Sequence, residues 1–205
     1  WTLSEASVAL DAVLDAARVA EEARRATAFA ADVASRIPPL GVDPELERME
    51  FIVAFHESGH ATYAAQSRIM RPVSAEIDVK RKFLVGVTGC GVVSGEYTKD
   101  PQKWTERDYI DSAAVSLAGS AAECYWLQRV EGADYRTSLQ EAYATHSSYD
   151  YRLACDDVGE GTAEFRKAER WARAVVEQQW DHIAGMAEIL RDKERMSAGQ
   201  IGRAA

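Results

Sequence analysis

Within the pentapeptide His56-Glu57-Ser58-Gly59-His60 two histidines stand four residues apart. On a helix that spacing places both imidazoles on one face, within reach of a single metal ion. Glu57 projects beside them, where a carboxylate can hold and deprotonate a water. The segment must therefore be a helix, and it must face something that completes the site. It is the H-E-x-x-H pattern, which suggests a zinc-dependent peptidase.

The flanking residues extend the helix. Asp43 stands where an N-cap belongs and Pro44 suits the first turn, so a helix is expected from about 44 to 67. Leu46, Met49, Ile52, Val53, His56, His60 and Tyr63 lie broadly along one stripe, so the motif belongs to a buried, mostly apolar helix. Val73 to Val79 alternates apolar and polar as a half-buried strand, with Arg81-Lys82 as a polar turn. Residues 83–93 are β-rich but hold three glycines, which implies a bulged strand or a strand and loop passing close to something.

Thr105 and Asp108 open a helix running to about Val130, whose middle, Leu117 to Glu123, is built of small residues that let another helix approach. Residues 137–158 read as helical but interrupted near 145–150, and 162–193 as one further helical stretch. Ser197 with Gln200 caps a short last turn. Ahead of all this, residues 3–36 are alanine-rich without Gly or Pro and read as one or two helices, followed by a linker over 37–43. The expected organisation is an N-terminal helical arm and linker, 1–44, and a domain over 45–205. The fold class is mainly α (α+β), with a small β-sheet beside the helix that carries the motif.

Charge and cysteine content narrow the function. A formal net charge of −9 argues against a nucleic-acid partner, which needs a basic face. Three cysteines without a C-x-x-C pair point away from a disulfide framework and toward a reducing, cytoplasmic setting. No apolar run reaches the length of a membrane span, and no basic-then-apolar leader opens the chain.

A catalytic zinc site uses three protein ligands and leaves one position for water or substrate. The metzincin continuation would need glycine at 63 and histidine at 66, where the chain has Tyr63 and Gln66. The third ligand must come from Glu123, Asp134, His146, Asp150, Asp156 or Asp157.

Four segments, in order, resemble the FtsH-type, AAA-associated zinc metallopeptidases. Phe55 to Ala61 is similar to that family's H-E-A-G-H-A segment, and Leu117 to Glu123 to its L-G-G-R-A-A-E helix. Ser148 to Ala154 is similar to its S-N-D-L-x-x-A-T segment, and Trp180 through Ile201 to its closing pattern. The resemblance spans roughly 45–202 and departs at Ser120, where the family has arginine. It implies that His56, His60 and Asp150 bind Zn2+, that Glu57 is the catalytic base, and that Glu123 supports a ligand histidine. It also implies that the strand over 73–79 lies beside the cleft; as an edge strand it would bind an extended peptide. The ATPase module and membrane anchor of the family have no counterpart in these residues.

The function so implied is a zinc-dependent endopeptidase acting on peptides or unfolded proteins, ATP-independent on its own. The alternative is a non-catalytic zinc-bound module that recruits or regulates a partner. The N-terminal helices would be the surface for a homo-oligomer or a separate partner protein.

Overall fold

The computed structural model describes residues 24–25, 43–82, 86–144 and 147–204. The expected helices over 3–36, most of the 37–43 linker, residues 83–85 and His146 lie outside them. The elements are α1 (Pro44–Gln66), β1 (Met70–Lys82), β2 (Gly86–Tyr97), α2 (Glu106–Glu131), α3 (Tyr135–Ala144), α4 (Ser148–Val158), α5 (Ala163–Gln178), α6 (Trp180–Lys193), β3 (Arg195–Ser197) and α7 (Ala198–Ala204), with a 3-10 turn at Pro101–Lys103. Seven helices and one three-stranded antiparallel sheet among the described residues make the fold mainly α.

The centre is α1. Its start follows from local chemistry: Asp43 accepts a hydrogen bond from the Glu45 amide at 3.2 Å, Pro44 opens the first turn, and Glu45 and Glu47 face the positive end of the helix dipole. From Ile52 to Ala64 every residue except His56, which is partly buried, is buried whatever its chemistry. A helix hidden on all sides needs partners all round, and α1 packs against α2, β1, β2 and α6.

The closest partner is α2. A Cβ at Gly59 would stand 2.5 Å from the Ala118 carbonyl oxygen and 2.6 Å from the Ala122 Cβ, so glycine is what permits the two backbones to meet. At its C-terminal end α1 is tied to α2 by Asp111, whose buried carboxylate accepts from Tyr63 Oη at 3.2 Å, Ser67 Oγ at 2.8 Å and the Arg68 amide at 2.9 Å. The α2 N-terminus carries the expected capping box, with Thr105 Oγ1 2.6 Å from Asp108 Oδ2, and the helix ends at Gly132 in the left-handed conformation (φ 68°).

The sheet differs from the sequence expectation in three respects. The strand over 73–79 is longer, 70–82, and takes in Arg81 and Lys82, the residues expected to turn. It is the middle strand, in the order β2-β1-β3, so it is not an edge; the edges are the long β2 and the three-residue β3. The register shift falls between Pro72 and Ser74, not among the glycines, because proline cannot donate to the ladder.

The stretch 162–193 is two helices, broken at Gln179 (φ −107°, ψ 22°). The break delivers Trp180 into the core, 5.0 Å from the Phe55 ring and 9° from parallel, beside Trp126. Apolar spacing runs unbroken across the junction, so periodicity alone could not reveal it. The interruption expected within 137–158 is present: α3 ends at Ala144 and α4 starts at Ser148. Ser197 N and Oγ both donate to Gln200 Oε1 at 2.9 Å, as the sequence suggested.

Adding a single methyl group at the α1–α2 contact should be costly. Gly59→Ala is expected to lower stability by about 1–3 kcal/mol, read as a lower urea midpoint, despite alanine's better helix propensity. An unchanged midpoint would mean that the helices are not held at this distance.

Candidate metal centre

Helix α1 brings His56 and His60 together with ring centroids 4.7 Å apart. Each ring is held from behind. His60 Nδ1 lies 2.7 Å from the Val115 carbonyl oxygen of α2, which can only accept, so that nitrogen carries the proton. His56 Nδ1 lies 3.3 Å from Glu123 Oε2, also on α2, and 3.4 Å from Ser147 Oγ at the start of α4. A ring that donates through Nδ1 offers the Nε2 lone pair on its other side.

Both Nε2 atoms turn toward one point, 3.0 Å from each other. Asp150, in the first turn of α4, brings Oδ2 to 3.1 Å from His56 Nε2 and 3.5 Å from His60 Nε2. Two lone pairs and a carboxylate oxygen at these distances repel one another unless a cation lies among them, either a proton on an imidazole or a metal ion.

A tetrahedral ion bound at about 2.0–2.2 Å holds its ligand atoms roughly 3.3–3.5 Å apart. The His60–Asp150 edge of 3.5 Å matches that spacing, and the edges of 3.0 and 3.1 Å fall a few tenths of an ångström short of it. Room for an ion depends on α2: a Cβ at Gly119 would fall 2.6 Å from His56 Nε2 and closer still to His60 Nε2. Glycine leaves that volume clear. The residues fit a divalent ion, and His56, His60 and Asp150 could hold one.

Electrostatics carry the same signature. Burial opposes a charge on His56, but hydrogen bonds to Asp150 and Glu123 outweigh it and hold the metal-free imidazolium up to about 10. Burial would raise Asp150; the histidine hydrogen bonds win and keep it well below the usual carboxylate range. Burial pushes Glu57 up, with His56 and His60 pulling the other way.

Glu57 is 4% exposed and lines the same cleft of about 400 Å3 as His56, His60 and Asp150. The edge strand lines it from Gly89 to Val93, as do Tyr149 and Leu153 of α4. At Gly91 a Cβ would stand 2.5 Å from Glu57 Oε1, so β2 touches the carboxylate with its backbone.

Among the other ligand candidates, Asp134 caps α3, accepting from Thr137 N and Oγ1 at 2.8 Å, and Asp156 and Asp157 lie on α4 outside the group. His146 lies outside the described residues. Sequence reading missed the Val115 carbonyl, Ser147, Gly91 and the specific role of Gly119. The small-residue stretch and the glycines of 83–93 signalled close approaches without saying to what; nothing marked Ser147.

No protein-family model matches the chain, and no curated protein matches its sequence. Among the described residues no helix is long and apolar enough to cross a membrane. All three cysteines, Cys90, Cys124 and Cys155, are free thiols.

Two outcomes test the centre. Glu123→Gln and Gly119→Ala should each weaken metal binding, the first by about 10–100-fold, in a metal-competition titration; full affinity in both would detach α2 from the site. The second concerns pH. The folded pKa of His56 lies above its ordinary 6.5, so its contribution to metal-free stability is complete below that pH and lost as pH rises toward 10. Asp150, held below 3.8, contributes above that value and loses its contribution as pH falls. A metal must displace the His56 proton, so the rise in melting temperature on adding metal should grow from about pH 6 to pH 9. A flat response would exclude His56 as a ligand.

Proposed function

We propose that this chain is a zinc-dependent endopeptidase that hydrolyses peptides or unfolded protein segments without nucleotide. The observation that carries the reading is the convergence of His56, His60 and Asp150 in a cleft that also holds a buried Glu57 and is walled by an open strand edge. The ordered resemblance to FtsH-type zinc metallopeptidases supports it. Two imidazoles and one carboxylate are a zinc donor set that leaves a coordination position for chemistry.

Bound there, zinc would supply Lewis acidity, acidifying a coordinated water and polarising the scissile carbonyl. His56, His60 and Asp150 would hold it, while Val115 and Glu123 keep each ring turned so that Nε2 faces inward. Glu57 takes the proton of the attacking water. Its burial raises its pKa, which makes it a better base toward water and a competent acid toward the departing amine. The C–N bond breaks as Glu57 returns that proton to nitrogen.

The outer edge of β2 carries backbone donors and acceptors that β1 leaves unpaired. An extended peptide laid along Gly89–Val93 would pair with them as a further strand and run past Glu57. An extended chain is what such an edge pairs with, which supports peptides and unfolded segments as the substrate class.

The decisive measurement is cleavage of unfolded casein by the zinc-loaded protein without nucleotide. Glu57→Gln should keep zinc and lose turnover by about 10²–10⁴-fold. Asp150→Ala should lose zinc. Stoichiometric zinc with no turnover on any unfolded substrate would favour a non-catalytic module, and zinc kept by Asp150→Ala but lost by Glu123→Ala would reassign the third ligand.

A further inference from the structure

A second groove, of about 500 Å3, lies between α3 and α5 and is floored by Leu117 and Ala121 of α2. Those two residues sit on the face of α2 roughly opposite Gly119, at 100° per residue, so the groove is separate from the metal centre. Its size falls within the roughly 300–1,000 Å3 of small-molecule sites.

Four arginines line it: Arg136 from α3, and Arg166, Arg170 and Arg173 from α5. The three on α5 follow at i, i+4 and i+7, so they form one stripe facing the groove. Glu169 is the one carboxylate in the lining, and it accepts a hydrogen bond from Tyr143 Oη at 3.3 Å. Concentrating like charges in one groove is unfavourable, and the chain as a whole carries a net charge of −9.

Two of the four guanidinium groups are engaged. Arg166 Nη1 donates to the Gly161 carbonyl at 2.6 Å. Arg173 pairs with Glu177 at 2.7 Å and lies 4.6 Å above the Tyr135 ring. Arg136 and Arg170, from opposite walls, make no ion pair within 4 Å among the described residues; their nearest acidic influences are Asp134 for Arg136 and Glu169 for Arg170. The floor is aliphatic and Tyr135 and Tyr143 supply flat aromatic surface.

We propose that this groove binds a small amphipathic organic anion, an apolar body bearing a carboxylate or a phosphate, with Arg136 and Arg170 gripping the anionic group from opposite walls. A planar guanidinium fork matches either oxyanion, while Leu117, Ala121 and the tyrosine rings cover the apolar body. The metal centre takes no part.

The test uses the full chain with 1-naphthyl phosphate, 1-naphthoate and the neutral 1-naphthol, by calorimetry and saturation-transfer NMR. The anions should bind about tenfold or more tightly than the naphthol. Arg136→Gln and Arg170→Gln should each weaken anion binding, and together by about tenfold, with naphthol binding and the melting temperature unchanged, since both side chains are exposed. His56→Ala should leave anion binding intact. Tighter binding of the phosphate or of the carboxylate identifies which oxyanion the groove is shaped for. No binding of either anion, equal affinity for naphthol, indifference to both arginine substitutions, or loss of binding in His56→Ala would each overturn the proposal.

Discussion

The structure depends on how closely α1 and α2 approach. Gly59 lets the backbone of α2 press against α1, and Gly119, next to Ala118 on α2, leaves room for the two imidazoles. A side chain at Gly59 would separate the helices, and one at Gly119 would displace the imidazoles. The Val115 carbonyl and the Glu123 carboxylate would then no longer reach the Nδ1 atoms of His60 and His56. The contact that packs the core is thus the contact that orients the two imidazoles, which sit on a helix buried from Ile52 to Ala64 save for the partly buried His56. Burial limits water and locks rotamers, and both sharpen a metal site.

Charge balance is the second constraint. Glu57, Glu123 and Asp150 bring three carboxyl groups around two imidazoles in a poorly solvated cleft. Such a cluster is tolerable only when positive charge sits among them. In the metal-free protein the proton on His56 fills that role, which is why its pKa is held so high. A divalent cation meets the same requirement with more charge, so folding and metal binding draw on one arrangement of groups.

The α2 helix serves two clefts. One face carries Gly119 and Glu123 toward the metal centre; the other, through Leu117 and Ala121, floors the arginine-lined groove. The two sites differ in the sign of the charge they invite. The first gathers acids around two imidazoles and could hold a cation, and the second gathers guanidinium groups, as the proposed anion requires.

Much was legible in the linear chain because its causes are local. Helical spacing put His56 and His60 on one face, Asp43 and Pro44 set the start of α1, and Thr105 with Asp108 set the start of α2. The mainly helical class with a small sheet followed from periodicities of 3.6 and 2. The break at Gln179 was hidden because apolar spacing is continuous across it, and the order of the strands because alternation does not say which neighbour a strand pairs with. Residue spacing left six candidates for the third ligand; the folded chain brings Asp150 to the two Nε2 atoms, sets Glu123 behind His56 and leaves Asp134, Asp156 and Asp157 outside. The sequence by itself determined that a two-histidine helix exists and that a glutamate accompanies it, since both depend on residues within one turn. Which carboxylate joins them, which strand edge stays open and where a missing Cβ makes room were decided by tertiary structure, because each depends on groups far apart in the chain meeting within a few ångströms.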